Sequence, residues 1–172
     1  MQSDRSIYTA LLAGSALWCC MIILAPVCAT IPGLTQDGAA LMYQFFHRIC
    51  HQIEGRSFHL FGEPLGVCMR CTAIYFAFFA AVALYPLFHS IHMVRLPSRS
   101  SIAVFLSPVV LDVVAGFTGL HDPNAITRLL TGASAGVLFA FIIVPSAIQG
   151  VRELRMQSLS SSPSPQKGQA NG

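Results

Sequence analysis

Charge is scarce in this chain. Only 10% of its 172 residues are charged, against roughly 25% in a soluble domain, and its one lysine, Lys167, lies in the tail. That scarcity argues against an ordinary soluble domain and points to one embedded in lipid. Recognised chemistry is missing as well. There is no P-loop, no Rossmann fingerprint, no His-Glu-x-x-His pair and no internal repeat. No histidine directly follows Cys71, so covalent haem attachment is unsupported, and no lipobox precedes Cys19, Cys20 or Cys28.

What is present is apolar: 54% of residues are hydrophobic, in long uncharged runs. Ile7 to Ala29 and Leu129 to Ile148 are each long enough, at 1.5 Å per helical residue, to cross about 30 Å of hydrocarbon. Cys71 to Phe88 is also uncharged, and Ile102 to Leu120 is apolar apart from Asp112. These runs predict an all-α polytopic membrane protein with four transmembrane helices, at about 7–30, 70–89, 102–120 and 128–148. They form a single membrane domain over 1–155, followed by a Ser/Pro/Gln/Gly-rich tail over 156–172 whose composition predicts disorder. Arg5 and the Val27-Cys28-Ala29 segment would also suit a signal peptide, although the first run exceeds the 7–15 apolar residues typical of one. Arginines near the span ends divide five (Arg5, Arg95, Arg99, Arg152, Arg155) against four (Arg48, Arg56, Arg70, Arg128). By the positive-inside rule both termini are expected in the cytoplasm, with the second set outside.

The second set lies around "FHRICHQIEGRSFHLFGEPLGVCMRC", Phe46 to Cys71, where histidines, cysteines and arginines concentrate. Asp37 as N-cap and Gly55 as stop predict an amphipathic interfacial helix over about 38–54. On it Leu41, Met42, Phe45, Phe46, Ile49 and Ile53 share one side, while Tyr43, His47, Cys50, His51 and Glu54 share the other. Gly55, Gly62, Pro64 and Gly66 then mark a tight loop able to return Cys68 and Cys71 over that polar stripe. Cys50, Cys68 and Cys71 with His47 or His51 supply soft ligands suited to tetrahedral zinc. A Cys-x-x-C pair also serves as a redox dithiol, a structural disulfide or simple interior packing. Outside the cytoplasm neighbouring thiols tend to oxidise, and Arg70 would favour a thiolate, so thiol-disulfide exchange through Cys68 and Cys71 stays open.

Asp112 within an apolar run is a functional candidate because an intramembrane carboxylate is costly. Arg128 could neutralise it, or join Arg48, Arg56 and Arg70 in holding an anion such as a lipid phosphate. Four acids on the same face (Asp37, Glu54, Glu63, Asp122) leave no plain basic patch, and nucleic-acid binding is not supported. Gly132 and Gly136 are spaced for close helix packing.

The runs "CHQIEGRSF" and "CMRCTAIY", followed by Asp112, Asn124, Arg128 and Thr131-Gly132, resemble a family of uncharacterised prokaryotic integral membrane proteins, over about residues 40 to 150. The resemblance implies a small multi-span protein and marks Cys50, His51, Gln52, Arg56, Ser57, Cys68, Arg70, Cys71, Tyr75, Asp112, Asn124 and Arg128. It brings no established activity. Glycine is expected where this chain has Ala73 and Val113. Three classes follow: a zinc-bearing enzyme or binding protein acting on an anionic membrane-associated ligand, a thiol-disulfide exchange protein, and a non-catalytic structural or interaction protein.

Overall fold

A computed structural model describes residues 2–31, 33–91, 95–120 and 123–160. Among the described residues five α-helices follow in order: α1 (Gln2–Thr30), α2 (Leu34–His47), α3 (Met69–Phe88), α4 (Arg99–Phe117) and α5 (Ala125–Ser160). The short strands β1 (His59–Leu60) and β2 (Glu63–Pro64) lie between α2 and α3. Helices α1, α3, α4 and α5 are long and apolar enough to cross a membrane. At 14 residues α2 is too short to do so. The fold is an all-α polytopic membrane fold.

The expected spans are present with shifted ends. α5 runs past residue 148 to Ser160, into the stretch read as tail, while 161–172 lie outside the described residues, as do His92, His121 and Asp122. The interfacial helix differs more. It starts at Leu34 after Gly33, whose φ of +100° suits glycine, so Asp37 lies in the first turn and does not cap it. It ends at His47, well short of residue 54. Arg48 and Ile49 turn the chain so that the Cys50 amide bonds the Phe46 carbonyl at 2.9 Å. Gln52 then adopts φ +47°, and its side-chain amide donates to the carbonyls of Tyr43 (3.0 Å) and Gly66 (2.7 Å). One side chain thereby ties the end of α2 to the loop that follows. The polar stripe expected across His47, Cys50, His51 and Glu54 is therefore not one helix face.

The loop returning to α3 is an antiparallel hairpin pairing His59 with Pro64 and Leu60 with Glu63. Its two-residue turn, Phe61-Gly62, has positive φ at both positions (+56° and +87°), as a turn matching the strands' twist requires. Tyr43 anchors the hairpin to α2 by donating to the Pro64 carbonyl at 2.6 Å. Burial, with Glu63 nearby, pushes the Tyr43 hydroxyl up to about 12, so it remains a donor.

α3 and α5 pack most closely. A Cβ on Gly132 would lie 2.5 Å from the Arg70 carbonyl oxygen, and one on Gly136 would lie 2.2 Å from that of Ile74. The pair of glycines lets the two backbones touch. Gly132 also faces the Ala73 methyl, so the position expected to be glycine meets its small partner on the opposite helix.

α1 contributes to two cores. Tyr8 packs with Val82, Tyr85, Ala140, Val144 and Ile148 at one end of the bundle. Ile22 packs with Phe46, Cys50 and Val67 at the other. At the first end Asp4 pairs with Arg152 through two hydrogen bonds of 3.0 and 2.6 Å, joining the beginning of α1 to α5. α4 packs against α5, and Asp112 is its buried residue.

Candidate metal centre and anion cleft

Three thiols meet at the end of the bundle where α1 finishes and α3 begins. The sulfur atoms of Cys50, Cys68 and Cys71 lie within 4.8 Å of one another. Each reaches this point by a different device. Cys50 is carried inward by the turn after α2, Cys68 is the N-cap of α3, and Cys71 occupies the first turn of that helix. The Cys68 amide donates to the Cys50 sulfur at 3.2 Å.

The centre is set in apolar packing. Cys50 is buried with Ile22, Phe46 and Val67, and Trp18, Tyr75 and Phe76 pack around them. Trp18 contacts Phe45, Phe46 and Tyr75 with ring centroids 5.5 to 5.7 Å apart. These rings give the thiols an apolar wall. Cys68 is held below the ordinary thiol range. The chief cause is the hydrogen bond with the Cys71 thiol, opposed by burial and reinforced by the Cys71 and Arg70 amides and by Cys50. Its hydrogen bond with Cys71 thus favours the thiolate form, which suits a metal ligand or a nucleophile.

His47 and His51 are exposed, and neither belongs to the cluster of ligand atoms that the described residues form. The early end of α2 explains this, because only Cys50 is turned inward. His51 instead lines a cleft of about 490 Å³ together with Arg56, Arg70, Asp112 and Arg128. Asp112 pairs with Arg70, not with Arg128 as the order of spans suggested. Asp112 lies in the last third of α4, level with the first turn of α3, which brings it to Arg70. Arg128 lines the same cleft and donates its Nε to the Pro123 carbonyl at 2.8 Å.

The remaining polar candidates are dispersed. Asn124 lines an adjoining recess of about 320 Å³ with Arg56 and Arg128, and its side-chain oxygen accepts from the Thr127 amide at 3.0 Å, capping α5. Ser57 is buried and donates to the Ile53 carbonyl at 3.0 Å, closing a local turn. Arg48 is exposed and lines neither cavity. Tyr75 lies on the other side of the thiols, where it lines an apolar groove of about 610 Å³ with Gly14, Trp18, Ile49, Cys71 and Phe78.

The tether made by Gln52 and the packing of Trp18 beneath the thiols were not anticipated in the sequence. Gln52 carried a signal in its place within the Cys-His-Gln run. Trp18 is the chain's one tryptophan, within an otherwise ordinary apolar run.

Fold and centre together define a small four-span membrane protein with a trithiol cluster at one end of its bundle. The family model described as "Predicted membrane protein (DUF2085)" matches residues 50–155, and the chain belongs to that family. The matched stretch begins at Cys50 and contains all three clustered cysteines. "Uncharacterized protein MJ1492" of Methanocaldococcus jannaschii is 31% identical over 104 residues, covering 60% of this chain and 67% of that protein. No solved structure matches the chain.

Proposed function

We propose that Cys50, Cys68 and Cys71 form a three-thiolate zinc centre whose fourth coordination position is open to a ligand. The observation that carries this reading is the gathering of three sulfurs within 4.8 Å. Sulfurs around tetrahedral zinc, bound at about 2.3 Å, stand roughly 3.8 Å apart, so a small contraction suffices. Three protein ligands with an open position is the pattern of reactive zinc sites, whereas purely structural sites are closed by a fourth side chain. The low titration point of Cys68 supports metal binding, since zinc takes thiolates. In this reading zinc would polarise or activate whatever occupies the fourth position, and the arginine cleft beside it would hold an anionic membrane-associated ligand. Cobalt substitution tests the centre: intense sulfur-to-cobalt charge-transfer absorption with tetrahedral d–d bands is expected. An octahedral spectrum without thiolate bands would contradict it.

A second reading, thiol-disulfide exchange, is favoured by the hydrogen bond between Cys68 and Cys71, which lowers the Cys68 thiol toward its nucleophilic form. Cys68 would attack a partner disulfide and Cys71 would resolve the mixed disulfide, leaving an oxidised Cys68–Cys71 pair and a reduced partner. The cluster facing away from the cytoplasm, as the arginine distribution favours, would suit this chemistry.

A further inference from the structure

We infer that the cleft between α3, α4 and α5 is a phosphate-binding site. The inference rests on the anionic-ligand part of the proposed function and narrows that ligand to a phosphate group, but it needs no metal. Among the described residues three guanidinium groups, Arg56, Arg70 and Arg128, line the cleft against one carboxylate, that of Asp112. Asp112 is already engaged by Arg70, and the Nε of Arg70 is buried without a partner. Among the described residues Arg56 has no side-chain partner, while Arg128 bonds through its Nε to Pro123. Two arginines with donors to spare converging on one polar cleft suit an oxyanion with several equivalent oxygens, and guanidinium forks match phosphate geometry.

The surroundings extend the same preference. Arg56 and Arg128 also line the recess at the N-terminus of α5, next to Asn124 and Ala125, where the helix dipole attracts negative charge. The cleft lies where α3 starts and α4 and its following turn end, which is headgroup depth for helices of spanning length. Phe117, on its rim, is 90% exposed, giving the site an apolar edge. The phosphate could therefore be free or carried on a lipid, and the cleft's chemistry is the same for both.

The test uses the full chain in nanodiscs of zwitterionic phosphatidylcholine, titrated with inorganic phosphate by calorimetry, beside nanodiscs doped with phosphatidic acid and examined by native mass spectrometry. One saturable phosphate group per chain is expected, weakened about tenfold or more by Arg56→Gln and by Arg128→Gln, since charge-assisted hydrogen bonds are lost. Arg128→Lys, which keeps the charge without the fork, should fall between. Saturation by inorganic phosphate identifies a free anion, and saturation by phosphatidic acid alone identifies a lipid headgroup. Absence of binding in both arms overturns the inference, as does binding that both glutamine variants retain. If Arg128→Gln fails to fold, Arg56→Gln decides alone, because its side chain has no partner among the described residues to lose. Metal content of the same samples reports separately on the zinc centre.

Discussion

Cys68 shows how a single residue takes its chemistry from position. As N-cap of α3 and neighbour to two thiols, it is drawn toward the thiolate form by its hydrogen bond with Cys71. Replacing any one of Cys50, Cys68 or Cys71 by serine should remove bound metal, read by elemental analysis, since two thiolates no longer hold it. His47→Ala should leave the metal content unchanged, because that side chain stands outside the cluster. The ion pair makes a second prediction. The side chain of Asp112 is 6% exposed and that of Arg70 26%, so an abandoned Asp112 is stranded while an abandoned Arg70 reaches water. Arg70→Gln should therefore cost more stability than Asp112→Asn, up to about 3–5 kcal/mol, and the double change should recover part of the loss in thermal unfolding. Strict additivity would show the two residues uncoupled. Asp112 stood out in the sequence because a carboxylate in an apolar run needs a partner. Its partner did not, because residue order gives no rotational phase: Arg128 is nearer along the chain, but Arg70 faces it.

At the scale of elements, hydrophobic length was a faithful guide and fine boundaries were not. The four spans were legible because an uncharged run of their length has few other uses. The end of α2 was not, since it is set by the capture of the Tyr43 carbonyl by Gln52 and by burial of Cys50, both tertiary events. The hairpin was hidden for a similar reason: Phe61 is an unusual residue for a left-handed turn position, and Gly62 was its one local cue. The Gly132 and Gly136 spacing was legible and leads to a packing prediction. Gly136→Ala would put a methyl 2.2 Å from the Ile74 carbonyl oxygen, forcing α3 and α5 apart at a cost of about 1–3 kcal/mol. Gly150→Ala, on the same helix with nothing within 4 Å of its new Cβ, should be neutral or stabilising by up to about 1 kcal/mol. Comparison of the two melting temperatures isolates the contact from helix propensity.

For the whole molecule, the Asp4–Arg152 pair puts the start of α1 and the later part of α5 at one end of the bundle, and the thiols occupy the opposite end, with Ile22 and Phe46. The five-to-four division of arginines, with Arg5, Arg95, Arg99, Arg152 and Arg155 toward the first end, makes its placement in the cytoplasm our proposal. A reporter cysteine beyond Ser158, in a background without other accessible thiols, should react with an impermeant maleimide only after cells are opened. Labelling in intact cells would invert the orientation and place the thiols in a reducing compartment, where the exchange reading loses its oxidant and the metal reading gains.

The central claim, a trithiolate metal centre, is tested most directly by measuring metal and free thiols together on protein purified without reductant or chelator. About one zinc per chain is expected, with Cys50, Cys68 and Cys71 reduced but resistant to alkylation until the metal is removed. Metal-free protein with Cys68 and Cys71 joined as a disulfide would contradict the claim.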